Sequence, residues 1–222
     1  MAKHRWEKAE IKLRKALRKD TVNAPIRYLL SSYYFNHGNP DFNLDSAYHY
    51  AITGMKDHQI TPERVRERLK RTPLDSLRLS RIREKIDSAG FEVAKSANTE
   101  AAYLLFLSRY TTAAQRELAT ALRDEVAYQE ALMMNTPEAF LSYLHRYPGA
   151  TRSSEARAQY DLLLYQSETS DSRLSSFVKF LKAHPETPYR KETFRHIFEL
   201  STADGSVESF LKFMELYPSS DL

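Results

Sequence analysis

The sequence predicts an all-α protein, a right-handed α-solenoid of antiparallel helix hairpins, and three observations predict it. Glycine is scarce, with 5 in 222 residues, and little of the chain alternates apolar with polar in the manner of a strand. A pattern of bulky side chains recurs four times. Phe140, Leu141, Tyr143, Leu144 and Tyr147 have counterparts at Tyr103, Leu104, Phe106, Leu107 and Tyr110. Further counterparts stand at Phe177, Val178, Phe180, Leu181 and His184, and again at Phe210, Leu211, Phe213, Met214 and Tyr217. The starts lie 37, 37 and 33 residues apart (103 to 140, 140 to 177, 177 to 210), and a second column at Phe91, Tyr128, Tyr165 and Phe198 keeps the same step. A period of this size marks stacked helical pairs, no one of which can bury its apolar face alone.

Each element has its own signal. Residues 6–20 place Trp6, Ala9, Leu13, Ala16 and Leu17 on one stripe with basic residues opposite, an amphipathic helix. Residues 24–35 and 45–56 read as a helical pair joined by the loop 37–44. Thr61-Pro62 and Thr72-Pro73 each put a threonine before a proline suited to a first helical position. The first starts a short basic helix to about Lys70. The second starts a long one whose shared face is Leu74, Leu77, Ile82, Ile86, Ala89 and Val93. Gly90 weakens that helix by about 1 kcal/mol relative to alanine, which suggests close approach of a neighbour. From Thr99 onward four hairpins fill the chain. Tyr147-Pro148, His184-Pro185 and Tyr217-Pro218 stop their first helices, because the residue before proline is steered out of the α region. Tyr110 is followed by Thr111-Thr112, which must provide the stop there. Asn98-Thr99 and Asn135-Thr136 fall between helices, the asparagine tolerating a left-handed backbone and the threonine capping the next helix. The shortening from 37 to 33 predicts a shorter second helix in that repeat.

The chain therefore divides into an N-terminal helical part over 1–60, a basic connector over 61–98, and four repeats over 99–222, the last incomplete. On these residues it resembles the tetratricopeptide-repeat family. Ala9, Leu13 and Ala16 match the family's second-helix pattern, with Thr21 standing where proline is usual. Leu29, Leu30, Ser31 and Tyr34 match a first helix, and Ala47, Tyr50 or Ala51, and Gly54 a second, although Tyr34 to Ala47 spans thirteen residues against about nine in the family. The later repeats, bulky aromatic-Leu-x-aromatic-Leu-x-x-Tyr-Pro, are similar to periplasmic outer-membrane-assembly lipoproteins of that superfamily. The resemblance implies a bacterial cell-envelope or periplasmic location, a scaffold that binds a protein, and a natural protein that extends beyond this segment. Met1 to Trp6 shows no apolar signal-peptide core.

Composition narrows the function. Mean hydropathy is −0.58, and no apolar run approaches the roughly 20 residues of a membrane span. With no cysteine, a disulfide framework and a cysteine-ligated metal are both excluded. Net charge is +4, the basic excess sitting in Lys3–Lys19 and Arg64–Lys85. No glycine-rich phosphate loop, nucleophile elbow or paired-histidine zinc helix is present, so the sequence points to no enzyme and to no cofactor. Asp41-Phe-Asn43-Leu-Asp45 opens like a calcium loop, but Ser46 and Ile52 stand at the required glycine and glutamate positions, and Asp45 reads as a helix cap.

Two surfaces remain. The positions of the first helices that stand outside the columns face the concave side in tetratricopeptide-like arrays. They give Arg109, Ser142, His145, Arg146, Lys179, Lys182 and Lys212 as candidate partner-binding residues, suited to an acidic or extended peptide. The alternatives are RNA binding through the basic helices of residues 62–85, and a docking arm for a catalytic domain elsewhere in the protein. A further expectation is an apolar face over residues 206–217 that its own repeat leaves partly uncovered, open to self-association.

Overall fold

The computed structural model describes residues 2–69 and 76–218. Among them every regular element is a helix. In order these are α1 (Ala2–Lys19), α2 (Ala24–Tyr34), α3 (Leu44–Ile60), α4 (Glu63–Leu69), α5 (Ser76–Ala97), α6 (Glu100–Arg109), α7 (Arg116–Met134), α8 (Pro137–Arg146), α9 (Ser153–Glu168), α10 (Leu174–Ala183), α11 (Arg190–Ser201) and α12 (Val207–Leu216). The chain forms two compact units, residues 1–123 and 124–222.

In the first unit α1 packs on α2, α2 on α3, α3 on α5 and α5 on α6. Small residues set the closest approach. Ala47 and Ala51 of α3 are fully buried, and the buried Ser31 hydroxyl of α2 donates to the Ala47 carbonyl at 2.9 Å. A side chain at Gly54 would press on Arg27 Cβ at 3.2 Å and Leu79 at 3.3 Å. Arg27 and Asp57 then tie α2 to the end of α3: Asp57, 7% exposed, accepts from the Arg27 guanidinium and from the Asn23 N–H. Trp6 of α1 meets Tyr33 edge-on at 5.6 Å, and the Tyr34 hydroxyl donates to Glu10, holding that carboxyl below its ordinary range.

Several first-unit expectations change. Leu29 is 49% exposed, and Leu30 carries the packing instead. Asp45 does not cap α3. Asn43 does, its side chain accepting from the Ser46 N–H at 2.7 Å with the extended backbone an N-cap needs. The buried face of α5 carries Leu79, Ile82, Ile86, Gly90 and Ala94, with Asp87 and Phe91 buried beside them. Leu77 is 52% exposed because it lies two residues, about 200°, round the helix from Leu79, and Val93 lines an open cleft against α6. Lys70, Thr72, Pro73 and Leu74 lie outside the described residues.

One backbone feature recurs. The turns after α5, α7, α9 and α11 each hold one residue in the left-handed region, at Asn98 (φ 46°), Asn135 (φ 48°), Ser172 (φ 54°) and Gly205 (φ 67°), which are 37, 37 and 33 residues apart. The next residue is the N-cap. Thr99 and Thr136 each accept from the backbone N–H three residues on at 3.2 Å, and Ser206 does the same for Ser209. Arg173 has no capping oxygen, and Asp171 supplies the local bonds, accepting from the Arg173 N–H and the Ser176 hydroxyl.

The other end of each first helix repeats as well. Tyr110, Tyr147, His184 and Tyr217 share ψ between 60° and 66°, and each N–H donates to the carbonyl four residues back at 2.8 to 2.9 Å. Ala113, Ala150 and Thr187 then donate back to the first three of these residues. Tyr110 makes the turn without a proline, so the stop resides in this backbone geometry. The second helix shortens from 16 residues in α9 to 12 in α11, which accounts for the 33-residue step.

Rings fasten the helices in the same register. Phe91 meets Phe106 at 5.5 Å, Tyr128 meets Tyr143 at 5.7 Å, Tyr165 meets Phe180 at 5.4 Å and Phe198 meets Phe213 at 5.1 Å, each edge to face. The first-helix ring in turn meets its cap residue, as in Phe106 with Tyr110 at 5.0 Å and Phe180 with His184 at 5.0 Å. Phe140, Tyr143 and Tyr103 are fully buried, so cutting Phe140 to alanine removes core contacts at a cost of about 3 to 5 kcal/mol. Most ring positions of the columns are core, whereas Leu104, Phe210, Leu211 and Met214 are exposed.

Candidate functional site

The seven candidate residues separate. Arg109 ends α6 in the first unit, where its Nη1 donates to both carboxylate oxygens of Asp45 at 2.6 and 2.7 Å. Asp45, displaced from the cap by Asn43, stands in the first turn of α3, where the helix dipole favours an acid. In the second unit Ser142, His145, Lys179, Lys182 and Lys212 are exposed on α8, α10 and α12, and Arg146 lies over the Tyr147 ring at 5.4 Å.

Of these, Lys212 lines a groove. The groove runs between α10 and α12 with α11 as its floor and holds about 530 Å³. Leu174 and Val178 come from α10, Leu200 from α11, and Phe213 and Leu216 from α12. The α12 flank carries the charge: Lys212 faces it together with Glu208 and Asp204 of the preceding turn. Asp204 accepts from the Ser206 N–H at 3.1 Å and from the Ser206 hydroxyl at 3.0 Å, which holds its carboxyl below the ordinary range and keeps it ionised. The groove is thus apolar along its walls and charged at one rim.

Beside it α12 presents Val207 (74% exposed), Leu211 (62%) and Met214 (66%), while Phe213 turns inward at 5%. The apolar face expected over 206–217 is therefore open. The groove was not visible in the sequence, since its walls mix column residues, Val178 and Phe213, with Leu174, Leu200 and Leu216, which fall outside both columns. A faint signal exists: α12 carries more apolar residues than the single stripe its packing uses.

Among the described residues no group of three histidine, aspartate, glutamate or cysteine side chains is placed to hold a metal ion. His184, half-buried beneath the turn, reaches Glu168 at 3.3 Å and packs on Phe180. No described helix is long and apolar enough to cross a membrane. The 62–85 segment, the alternative nucleic-acid surface, is divided. Arg66 pairs with Glu63 and Arg83 with Asp87, whereas Arg78, Arg81 and Lys85 face α2. Comparison of the chain with protein-family models, curated proteins and solved structures finds no match to any of them.

Proposed function

We propose that the chain is a non-enzymatic helical-repeat scaffold, a right-handed tetratricopeptide-like α-solenoid belonging to a larger cell-envelope protein, and that it holds a protein or peptide partner. The repeating turn geometry and the interlocked rings support the repeat reading. The observation that carries the binding reading is the α10–α12 groove, whose apolar walls and Lys212 rim suit a peptide that buries one or two aliphatic or aromatic side chains beside a carboxylate. The neighbouring Lys179 and Lys182, both exposed on α10, extend the basic surface over which an acidic stretch could continue.

Selection of peptides from a displayed library against the full chain, followed by titration of the winners, tests the reading. Enriched peptides carry paired apolar residues flanked by aspartate or glutamate. Leu200→Glu with Lys212→Glu, both at exposed positions, lowers their affinity at least 10-fold at unchanged helicity. Lys179→Glu with Lys182→Glu lowers it less. Peptides that bind the Leu200/Lys212 variant as tightly as the parent would remove the groove from the account.

A further inference from the structure

In the first unit α1 carries more charge than its packing uses. Its inner face holds Trp6, Leu13, Ala16 and Leu17, with Glu10 accepting from the Tyr34 hydroxyl and from Arg14 at 2.7 Å. On the other side Arg5, Lys8, Lys12, Lys15 and Lys19 follow one another at spacings of three, four, three and four residues. With 3.6 residues to the turn, that spacing keeps all five within an arc of about 80°, in a row about 21 Å long. Each is exposed, and among the described residues none has an acid partner. Of the acids of the helix, Glu10 stands opposite the row and Glu7 about 120° round from its middle. Residues 1–4 contain no acid.

Folding gains little from this row. Like charges three or four residues apart weaken a helix, and the row contains four such neighbouring pairs. Arg5 lies in the first turn, at the positive end of the helix dipole, where no acid offsets it. Of the five, Lys19 alone stands in the last turn, where a cation meets the free carbonyls. The row is convex and carries no aromatic side chain. Its four lysines are point charges, without the planar fork by which arginine grips one carboxylate or phosphate in fixed geometry. Ile11, 62% exposed, borders it.

We infer that this row docks α1 flat on an anionic lipid bilayer, the five cations among the headgroup phosphates and Ile11 in the interface. A bilayer offers its negative charge over a plane, so a convex row meets it without a groove, and each lysine or arginine near that surface adds its own attraction. An exposed aliphatic side chain beside the cations gains from the acyl boundary. Nucleic acid fits the row less well. Single strands are held by stacking rings, and a duplex groove is read by side chains that reach base edges; the row has neither.

Co-sedimentation of the full chain with lipid vesicles provides the test. Vesicles of phosphatidylcholine with about 40% phosphatidylglycerol retain the chain at about 50 mM salt and release it towards about 500 mM, and vesicles of phosphatidylcholine alone do not bind it. Lys8→Gln with Lys15→Gln keeps the helicity and lowers the partition coefficient about 30-fold. Lys95→Gln with Lys191→Gln, exposed cations of α5 and α11, removes the same charge and leaves the coefficient within about 2-fold of the parent. The inference is overturned if the phosphatidylglycerol vesicles do not retain the chain at low salt, or if the Lys8/Lys15 variant binds as tightly as the parent. It is equally overturned if the Lys95/Lys191 variant loses as much as the Lys8/Lys15 variant, or if a duplex oligonucleotide at equal phosphate concentration strips the chain from the vesicles.

Discussion

Gly90 supplies a sharp test, because two effects of one methyl group oppose each other there. In the middle of α5, alanine raises helix stability over glycine by about 1 kcal/mol. A Cβ at Gly90, however, would stand 2.5 Å from Cζ, 2.7 Å from Cε2 and 2.8 Å from the hydroxyl oxygen of Tyr110. Carbon atoms rest at about 3.5 to 4.0 Å, so the ring would have to retreat by about 1 Å. It has nowhere to go: Tyr110 is 5% exposed, stacks on Phe106 at 5.0 Å and meets Tyr48 at 4.7 Å. Overpacking of this kind costs about 1 to 3 kcal/mol, which exceeds the helical gain. Gly90→Ala therefore lowers stability by about 1 kcal/mol, read as a lower urea midpoint by far-UV circular dichroism. In a Tyr110→Leu background, where the far end of the ring is gone, the same change raises stability by about 1 kcal/mol. A gain from Gly90→Ala in the parent chain would refute the argument, since it would mean that Tyr110 is not seated on α5.

Ser172 adopts φ 54°, a region in which a side chain costs about 1 kcal/mol, so Ser172→Gly raises the thermal midpoint while Gly205→Ala lowers it. The Tyr143 hydroxyl is buried without a hydrogen-bond partner, and burial pushes its pKa up to about 12; the equivalent residues Phe106, Phe180 and Phe213 have no hydroxyl, so Tyr143→Phe leaves stability unchanged or raises it by up to about 1 kcal/mol in urea titration. Asp87 is 2% exposed, and burial raises its pKa to about 6 against the partial compensation of Arg83. The folded state then holds a proton that the unfolded state has lost, so stability falls as pH rises from about 4 to 6. Asp87→Asn flattens that fall and raises the urea midpoint at pH 7; a pH profile identical to the parent would contradict the assignment.

What could be read from the chain and what could not divide along physical lines. Asn98-Thr99 and Asn135-Thr136 were legible because each residue type suits the conformation it adopts. Ser172 and Gly205 hold the same backbone with different side chains, and they become visible only once the period is imposed. Asn43 and Asp45 are both competent caps two residues apart, and the choice between them rests on which one the loop from Asn39 delivers in extended conformation. The pairing of Arg109 with Asp45 joins residues 64 positions apart, beyond any local pattern. The same holds for the α10–α12 groove. Periodicity identifies the core, whereas sites arise where elements meet.

Double-mutant cycles on the three equivalent ring pairs of the second unit, Tyr128 with Tyr143, Tyr165 with Phe180 and Phe198 with Phe213, test the central claim most directly. Each pair is predicted to show a coupling of about 0.5 to 1.5 kcal/mol, and the non-contacting pair Tyr128 with Phe213 less than about 0.5. Coupling absent from any of the three, or equal in the non-contacting pair, would contradict the claim that these rings fasten one repeat to the next.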